Sequence, residues 1–323
     1  RHGAAPTTID ILPDLLEKEG FSVKAVSPIK NKTVRLMHML ASICFTANYD
    51  LVLIDTYSTS NFWYAIWSAR LCKLRNKPYI FLLHGGKLPQ RLEKSNKNTL
   101  KLFKNAKANV VPSQFLMQEL KVFQFSNLMC IHNFIDLEEY PFIKREHIKP
   151  RLLWVRAFHK IYNPFLAIKA FEKLQVLYPK ATLCMVGPEK DGSLAKVRDY
   201  ILEKKLAVQL TGKLSKKEWR ELSKEYDIFL NTTRVDNTPV SILEAMALGL
   251  PIVSTKVGGI PYILENGKNA SLIREPNPDV LMEALQNILM NPEKAIEMAN
   301  KSREKVEVYD WAHIRHQWIN LLS

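Results

Sequence analysis

Short apolar runs alternate with longer amphipathic stretches along most of the chain. In the first half, LVLID (51–55), PYIFLLH (78–84), ANVVPS (108–113) and LMCIHN (128–133) read as strands buried on both faces. FSVKAVS (21–27), following Gly20, reads as a further strand. Helical spacing covers 8–19, 33–46 and 60–74, and two short basic helices follow the histidine that ends PYIFLLH. Pro112–Ser113 closes one strand and caps the next helix. The pattern then restarts with RLLWV (151–155), ATLCMVG (181–187), VQLTG ending at Gly212, DIFLN (227–231) and PIVST (251–255). Helices at 163–177 and 193–204 lie between them.

Strands that alternate with helices predict parallel sheets covered on both faces. Two such runs predict an α/β protein of two Rossmann-like, doubly wound domains, 1–145 and 146–305, facing a central cleft. The charged, proline-bearing segment IDLEEYPFIKREHIKP (135–150) reads as their linker. Residues 306–323 read as a terminal helix, because Trp311, Ile314, Trp318 and Leu321 recur at helical spacing.

Composition narrows the class. The chain has 323 residues, 47% hydrophobic, and a mean hydropathy of −0.14, which suits a soluble protein with sizeable cores. No apolar run reaches the ~18 residues of a membrane span. The start lacks a secretory leader pattern, and a chain opening on Arg1 reads as a fragment or a trimmed product. Four scattered cysteines, Cys44, Cys72, Cys130 and Cys184, have no metal-like spacing and suit a reducing, cytoplasmic compartment.

The net charge of +14 is uneven. Residues 1–145 hold 20 Lys/Arg against 11 Asp/Glu. Lys87, Arg91, Lys94, Lys97, Lys101, Lys104 and Lys107 are opposed locally by Glu93 alone. Such a run is either a solvated face or an attractor of anions, including acidic lipid headgroups. Nucleic acid is not expected, because no basic–aromatic stacking platform is interleaved with it.

The stretch DNTPVSILEAMALGLPIV (236–253) carries the sharpest chemistry. Thr238 suits a helix cap and Pro239 the first helical position. The N–H groups near Val240 and Ser241 would then face an anion. Asp236 precedes that helix start and Glu244 lies further along it, and a carboxylate accepts two hydroxyls from neighbouring ring carbons. Diphosphate on the amides and sugar hydroxyls on the acids would suit a sugar nucleotide. The same pattern also fits an ordinary capped helix with an exposed acid.

With the following AMALGLPIVSTKVGG, this region resembles the two-acid motif of retaining glycosyltransferase family 4 (group 1), whose fold is GT-B. LHGGK (83–87), HNFID (132–136), MVGPEKDGSL (185–194), LTGKLSKKEW (210–219) and YDIFLNTT (226–233) are similar to that family's recurrent segments and occur in its order. The resemblance implies that Glu244 holds the nucleotide ribose and Asp236 the transferred sugar. It assigns the backbone around Asn237, Thr238, Pro239 and Val240 to sugar or phosphate. Arg156 at the end of RLLWV, with Lys160, would neutralise the departing diphosphate, although this chain lacks the family's glycine before the arginine and places the lysine one residue early. His84 would face the reaction centre from the first domain, with Gly85, Gly86 and Lys87 on the acceptor side. Gly3 would lie in the loop after a first strand that this sequence lacks. The terminal helix would cross back to the first domain.

Gly187, Gly212 and Lys213 end strands and either line the nucleotide pocket or form plain turns. No D-x-D triplet is present, so neither a donor-bound metal nor another cofactor is expected. The expected activity is glycosyl transfer from a nucleotide diphosphate sugar to a glycan or lipid-linked acceptor, with the basic segment 87–107 on an anionic membrane. A sugar-nucleotide epimerase on the same architecture and a catalytically impaired relative are the alternatives.

Overall fold

In the computed structural model, which describes residues 8–27 and 29–323, the buried apolar runs become strands of two all-parallel sheets. The chain divides into two units. One runs to Asn133 and also takes Arg315–Ser323, and the other is Phe134–Ile314.

The first unit begins with helices α1 (Thr8–Lys18) and α2 (Lys32–Phe45). It then alternates β1 (Val52–Tyr57), α3 (Phe62–Leu74), β2 (Tyr79–His84), α4 (Leu88–Glu93), α5 (Lys97–Lys104), β3 (Ala108–Val111), α6 (Gln114–Leu120) and β4 (Leu128–Cys130). Its sheet runs β1-β2-β3-β4. Phe81 of β2 stacks on Phe103 of α5 with ring centroids 4.2 Å apart, which explains why β2 needs apolar residues on a covered face. Ser113 caps α6 as its sequence implies, its Oγ accepting from the Leu116 N–H.

Residues 21–27 do not form the expected strand. They join neither sheet, and Lys24 instead donates to Thr46 Oγ1. Alternation fits a side-chain pattern to a sheet surface but cannot supply the neighbouring backbone that a strand must bond. Gly3 lies outside the described residues.

The second unit comprises β5 (Arg151–Val155), α7 (Pro164–Leu177), β6 (Thr182–Val186), α8 (Ser193–Lys204), β7 (Val208–Gly212), α9 (Lys216–Ser223), β8 (Ile228–Asn231), α10 (Val240–Ala247), β9 (Ile252–Thr255), α11 (Ile260–Ile263), β10 (Ser271–Ile273), α12 (Pro278–Met290) and α13 (Pro292–Val306). The strand order is β10-β9-β8-β5-β6-β7. The period-two side-chain rule divides β5 between two cores: Leu152 and Trp154 enter one, Leu153 the other. Because β6 lies on one side of β5 and β8 on the other, the connections after β5 and β8 diverge there. Ligands of open α/β sheets bind at such a point.

The division falls at 133/134 rather than 145/146, because 134–145 is not a free linker. Its backbone bridges to Asp310, and Tyr140 and Arg145 are buried in the second unit. The Arg145 guanidinium donates to the carbonyls of Tyr226, Ser223, Leu248, Gly249 and Ile143. Terminal helix α14 (Trp311–Leu322) buries Trp311, Ile314, Trp318 and Leu321, the four positions that its spacing selects. Residues 306–314 stay with the second unit, and only Arg315–Ser323 belong to the first.

Arg145→Ala should destabilise the second unit by about 2–4 kcal/mol, because it leaves buried carbonyls without their charged donor. Amide hydrogen exchange should show protection falling in β8 and α10 and unchanged in β2 and β3. Equal losses in both units would contradict this assignment.

Candidate functional site

The strand ends of the second unit gather most of the residues singled out by sequence. Arg156 directly follows β5, and Asp236 lies in the loop after β8. The Arg156 Nη2 donates to Asp236 Oδ2 at 2.6 Å, with both side chains about 14–15% exposed. The Arg156 guanidinium also stands 5.0 Å over the Tyr162 ring. Two further ties fix the loop after β8 against β5 and the loop that follows it. Trp154 Nε1 donates to Thr232 Oγ1, and Thr232 Oγ1 donates to the Tyr162 carbonyl.

Glycines allow the backbones to approach closely. Gly187 ends β6 with φ +155°, and a Cβ there would stand 1.7 Å from the Arg156 carbonyl oxygen. Its N–H donates to the Gly212 carbonyl at the end of β7, so Arg156, Gly187 and Gly212 sit side by side. Gly258 and Gly259, after β9, press on the Asp236 loop: their Cβ atoms would meet the Asp236 and Asn237 carbonyl oxygens at 2.1 and 1.8 Å. Lys213 is exposed beside Gly212.

The helix start is shifted by one residue from the expected one. Pro239, not Thr238, occupies the cap position with ψ 111°, and α10 begins at Val240. Proline drives the residue before it toward extended geometry, so the first turn cannot include Thr238. Asn237 and Thr238, just before it, are buried. The first helical bond is Ile242 N–H to the Pro239 carbonyl. Among the described residues, the Val240 and Ser241 N–H groups have no protein acceptor. Ser241 Oγ and Arg156 Nε are also buried without a hydrogen-bond partner among those residues. Buried donors are almost always paired, and these lie at the same strand-end edge. The arrangement suits an anion with hydroxyl-bearing neighbours.

Glu244 is buried one turn further along α10. Tyr140 donates its hydroxyl to Glu244 Oε1 at 2.6 Å, and Lys216 Nζ is 3.1 Å from the same oxygen. Burial, and then the neighbouring Glu244 charge, raise the Tyr140 hydroxyl well above the ordinary phenol value, so it remains a donor. Oε2 has no protein donor among the described residues and is the oxygen left to accept from a diol. Tyr140, Lys216, Gly258 and Gly259 were not anticipated as site residues. The glycine pair was legible in STKVGG; Tyr140 was hidden because its partner is 104 residues away.

Lys160 does not join Arg156 and Asp236. Its side chain is exposed, and Asp191 Oδ2 accepts its backbone N–H. A cavity of about 420 Å³ between β10, α12 and α13 shares no residue with this site.

In the first unit, His84 ends β2 as expected, but with two partners that sequence had not assigned. Its Nε2 lies 2.9 Å from Asp55 Oδ1, and its ring stacks on Tyr57 at 4.9 Å. Asp55 and Tyr57 occupy alternate positions of β1 and so share a face, with Tyr57 opposite His84 in register. Gly85 turns the chain with φ +90°, followed by Gly86 and by Lys87, which is exposed at the start of α4.

Comparison with known proteins adds the family. A model described as "Glycosyl transferases group 1" matches residues 138–305, and one described as "Glycosyltransferase Family 4" matches 14–139. The chain belongs to the group 1 glycosyltransferases. A glycosyltransferase from Haemophilus influenzae is 26% identical over 159 residues, covering 48% of this chain and 44% of its own. The chain spans less than half the length of the curated relatives it matches.

Among solved structures, HepE from Anabaena, crystallised with UDP, is 16% identical with TM-score 0.75, covering 96% of this chain and 88% of its own. Sucrose-phosphate synthase from Thermosynechococcus elongatus is 17% identical with TM-score 0.72, covering 88% and 76%. These likenesses identify the fold as GT-B.

Gly259→Ala should lower stability by about 2–3 kcal/mol and shift the amide resonances of 236–241, because backbone has to move. Gly192→Ala, with no atom near its added carbon, should cost about 1–2 kcal/mol from its left-handed φ alone and leave those resonances in place. Calorimetry and amide spectra of the two variants check this contrast.

Proposed function

We propose that this protein transfers a glycosyl group from a nucleotide diphosphate sugar to an acceptor hydroxyl with retention of anomeric configuration. One observation carries the reading: at the switch point of the second sheet, an arginine–aspartate pair adjoins a helix start, and among the described residues two amides and a serine hydroxyl of that start and the arginine Nε have no hydrogen-bond partner. The crystals of HepE with UDP-glucose support a uridine diphosphate sugar as the first donor to test.

In this reading the diphosphate lies on the Val240 and Ser241 N–H groups and on Arg156. Fixed donors meet the charge that develops on the leaving group without reorganising, and no donor-bound metal is invoked. Asp236 accepts hydroxyls of the transferred sugar, with the backbone of Asn237, Thr238 and Pro239 around it. Glu244 Oε2 accepts the ribose hydroxyls, while Gly187, Gly212 and Lys213 border the base. Lys160 would need its loop to turn before it could help. No side chain is assigned as a covalent nucleophile, and front-face displacement suits that. His84, its ring held by Asp55 and Tyr57, serves the acceptor with Gly85, Gly86 and Lys87.

The acceptor class we favour is a glycan or lipid-linked intermediate of polysaccharide, glycolipid or envelope synthesis. The proposed setting is the cytoplasmic face of an anionic membrane. Four unpaired cysteines and the basic run 87–107 support this setting, and no helix among the described residues is long and apolar enough to cross a bilayer.

Sugar nucleotides should raise the melting temperature, and acceptor plus donor should yield a product with the donor's anomeric configuration by proton NMR. Donor isomerised without acceptor would replace the reading with epimerisation. No response to any sugar nucleotide would end it.

Tyr140 supplies a separate check. The protein should bind UDP about tenfold or more tighter than 2′,3′-dideoxy-UDP, the value of hydrogen bonds to a charged oxygen. Tyr140→Phe should narrow that ratio and Glu244→Ala should erase it, both measured by calorimetric titration.

A further inference from the structure

We propose that the face formed by α2 and α3 inserts into the headgroup layer of an anionic bilayer. This deepens the membrane setting proposed above by naming the surface that enters the lipid, and it is independent of the transfer chemistry.

The two helices pack against each other, and each turns an apolar stripe to solvent. On α3, Trp63, Trp67 and Leu74 fall at i, i+4 and i+11, with Trp63 and Trp67 nearly half exposed and Leu74 81% exposed. On α2, Val34, Met37 and Phe45 fall at i, i+3 and i+11, with Phe45 86% exposed. Both spacings place the members on one side of their helix. Scattered surface hydrophobics are ordinary, but an exposed apolar stripe on each of two helices that pack together, one with paired tryptophans, is a concentration of apolar surface.

Charge identifies the occupant. No Asp or Glu occurs in residues 20–49 or 56–92, whereas those stretches hold Lys24, Lys30, Lys32, Arg35, Arg70, Lys73, Arg75, Lys77, Lys87 and Arg91. A second copy would bring the same cations against themselves. Acidic headgroups complement the charge, and acyl chains complement the valine, methionine, leucine and phenylalanine that a stacking nucleic acid would not use. The arginines are already placed for an interface: the Arg91 guanidinium lies 4.9 Å above Phe62 and 5.4 Å above Trp63, and that of Arg70 lies 4.8 Å above Trp67. Such pairs set an aromatic ring at headgroup depth with a cation at the phosphates.

The run 87–107 plays a different part from the one its charge suggests. Its Leu88, Leu92, Leu102 and Phe103 are buried in the first unit, so it attracts a surface without entering it. Helix α4 carries Arg91 and begins just after the His84 strand end, which places the apolar face next to the residues assigned to the acceptor.

The remaining tryptophans, Trp154, Trp219, Trp311 and Trp318, are buried, so a change of tryptophan emission on lipid reports Trp63 and Trp67. Vesicles of phosphatidylcholine with phosphatidylglycerol should shift the emission to the blue and sediment the protein; phosphatidylcholine alone should do neither. Trp63→Ser/Trp67→Ser should weaken vesicle binding by about tenfold or more with an unchanged circular dichroism spectrum and unchanged UDP binding. Trp63→Phe/Trp67→Phe should retain binding without the shift, which controls for folding. Undiminished vesicle binding by the serine variant would overturn the proposal, as would no vesicle binding by the unaltered chain. So would lipid-independent self-association that the serine variant abolishes, since the face would then belong to a second copy. UDP binding is read separately, so loss of the lipid face leaves the donor-site reading intact.

Discussion

The ion pair between Arg156 and Asp236 is the contact on which the site depends. It joins the loops that leave β5 and β8 in opposite directions, and so bridges the crevice that a doubly wound sheet opens at its switch point. An isolated arginine and aspartate this sheltered would each face a desolvation cost, and pairing offsets much of it. The pairing uses only part of the guanidinium. Among the described residues its Nε has no partner, and the Val240 and Ser241 amides and the Ser241 hydroxyl at the same strand-end edge have none either, a donor set that suits the diphosphate proposed above.

A second layer supports this centre from parts of the chain far away in sequence. Tyr140 reaches Glu244 from the segment leading out of the first unit, and Arg145, five residues on, pins that segment to carbonyls around α9 and α10. The stretch that looks like a tether is therefore part of the second unit's wall. Loops after β6 and β9 approach through glycines because backbone oxygens occupy the space that a side chain would need, whereas Gly212 at the end of β7 has open space and a left-handed φ of +72°.

Most of the architecture was legible because parallel strands covered on both faces must be apolar throughout, and RLLWV, PYIFLLH and DIFLN could be little else. Asp236, Glu244, Arg156 and His84 stood out in the sequence because a polar residue at a strand end beside glycine or a helix start can carry chemistry, and the structure places Arg156, Asp236 and His84 after or at such ends and Glu244 within α10. FSVKAVS misled because alternation describes one strand's faces and not whether a neighbour exists to pair with it. IDLEEYPFIKREHIKP misled because its charge concealed two buried anchors, Tyr140 and Arg145, whose partners lie about 80–100 residues on. Asp55 and Tyr57 were an acid and a phenol inside an apolar strand, a signal present but unread. Lys160 shows the reverse: spacing put a cation near the site, while Asp191 holds its backbone in a loop that leaves the ammonium in solvent.

The central claim is that the start of α10, together with Arg156, receives a diphosphate. The most direct measurement is a titration with UDP followed by the backbone amide resonances of Val240 and Ser241 and the Arg156 Nε–H resonance. The account predicts that these three move together and saturate at one ligand concentration, with calorimetry giving the same affinity. UDP binding that leaves all three unmoved would contradict it.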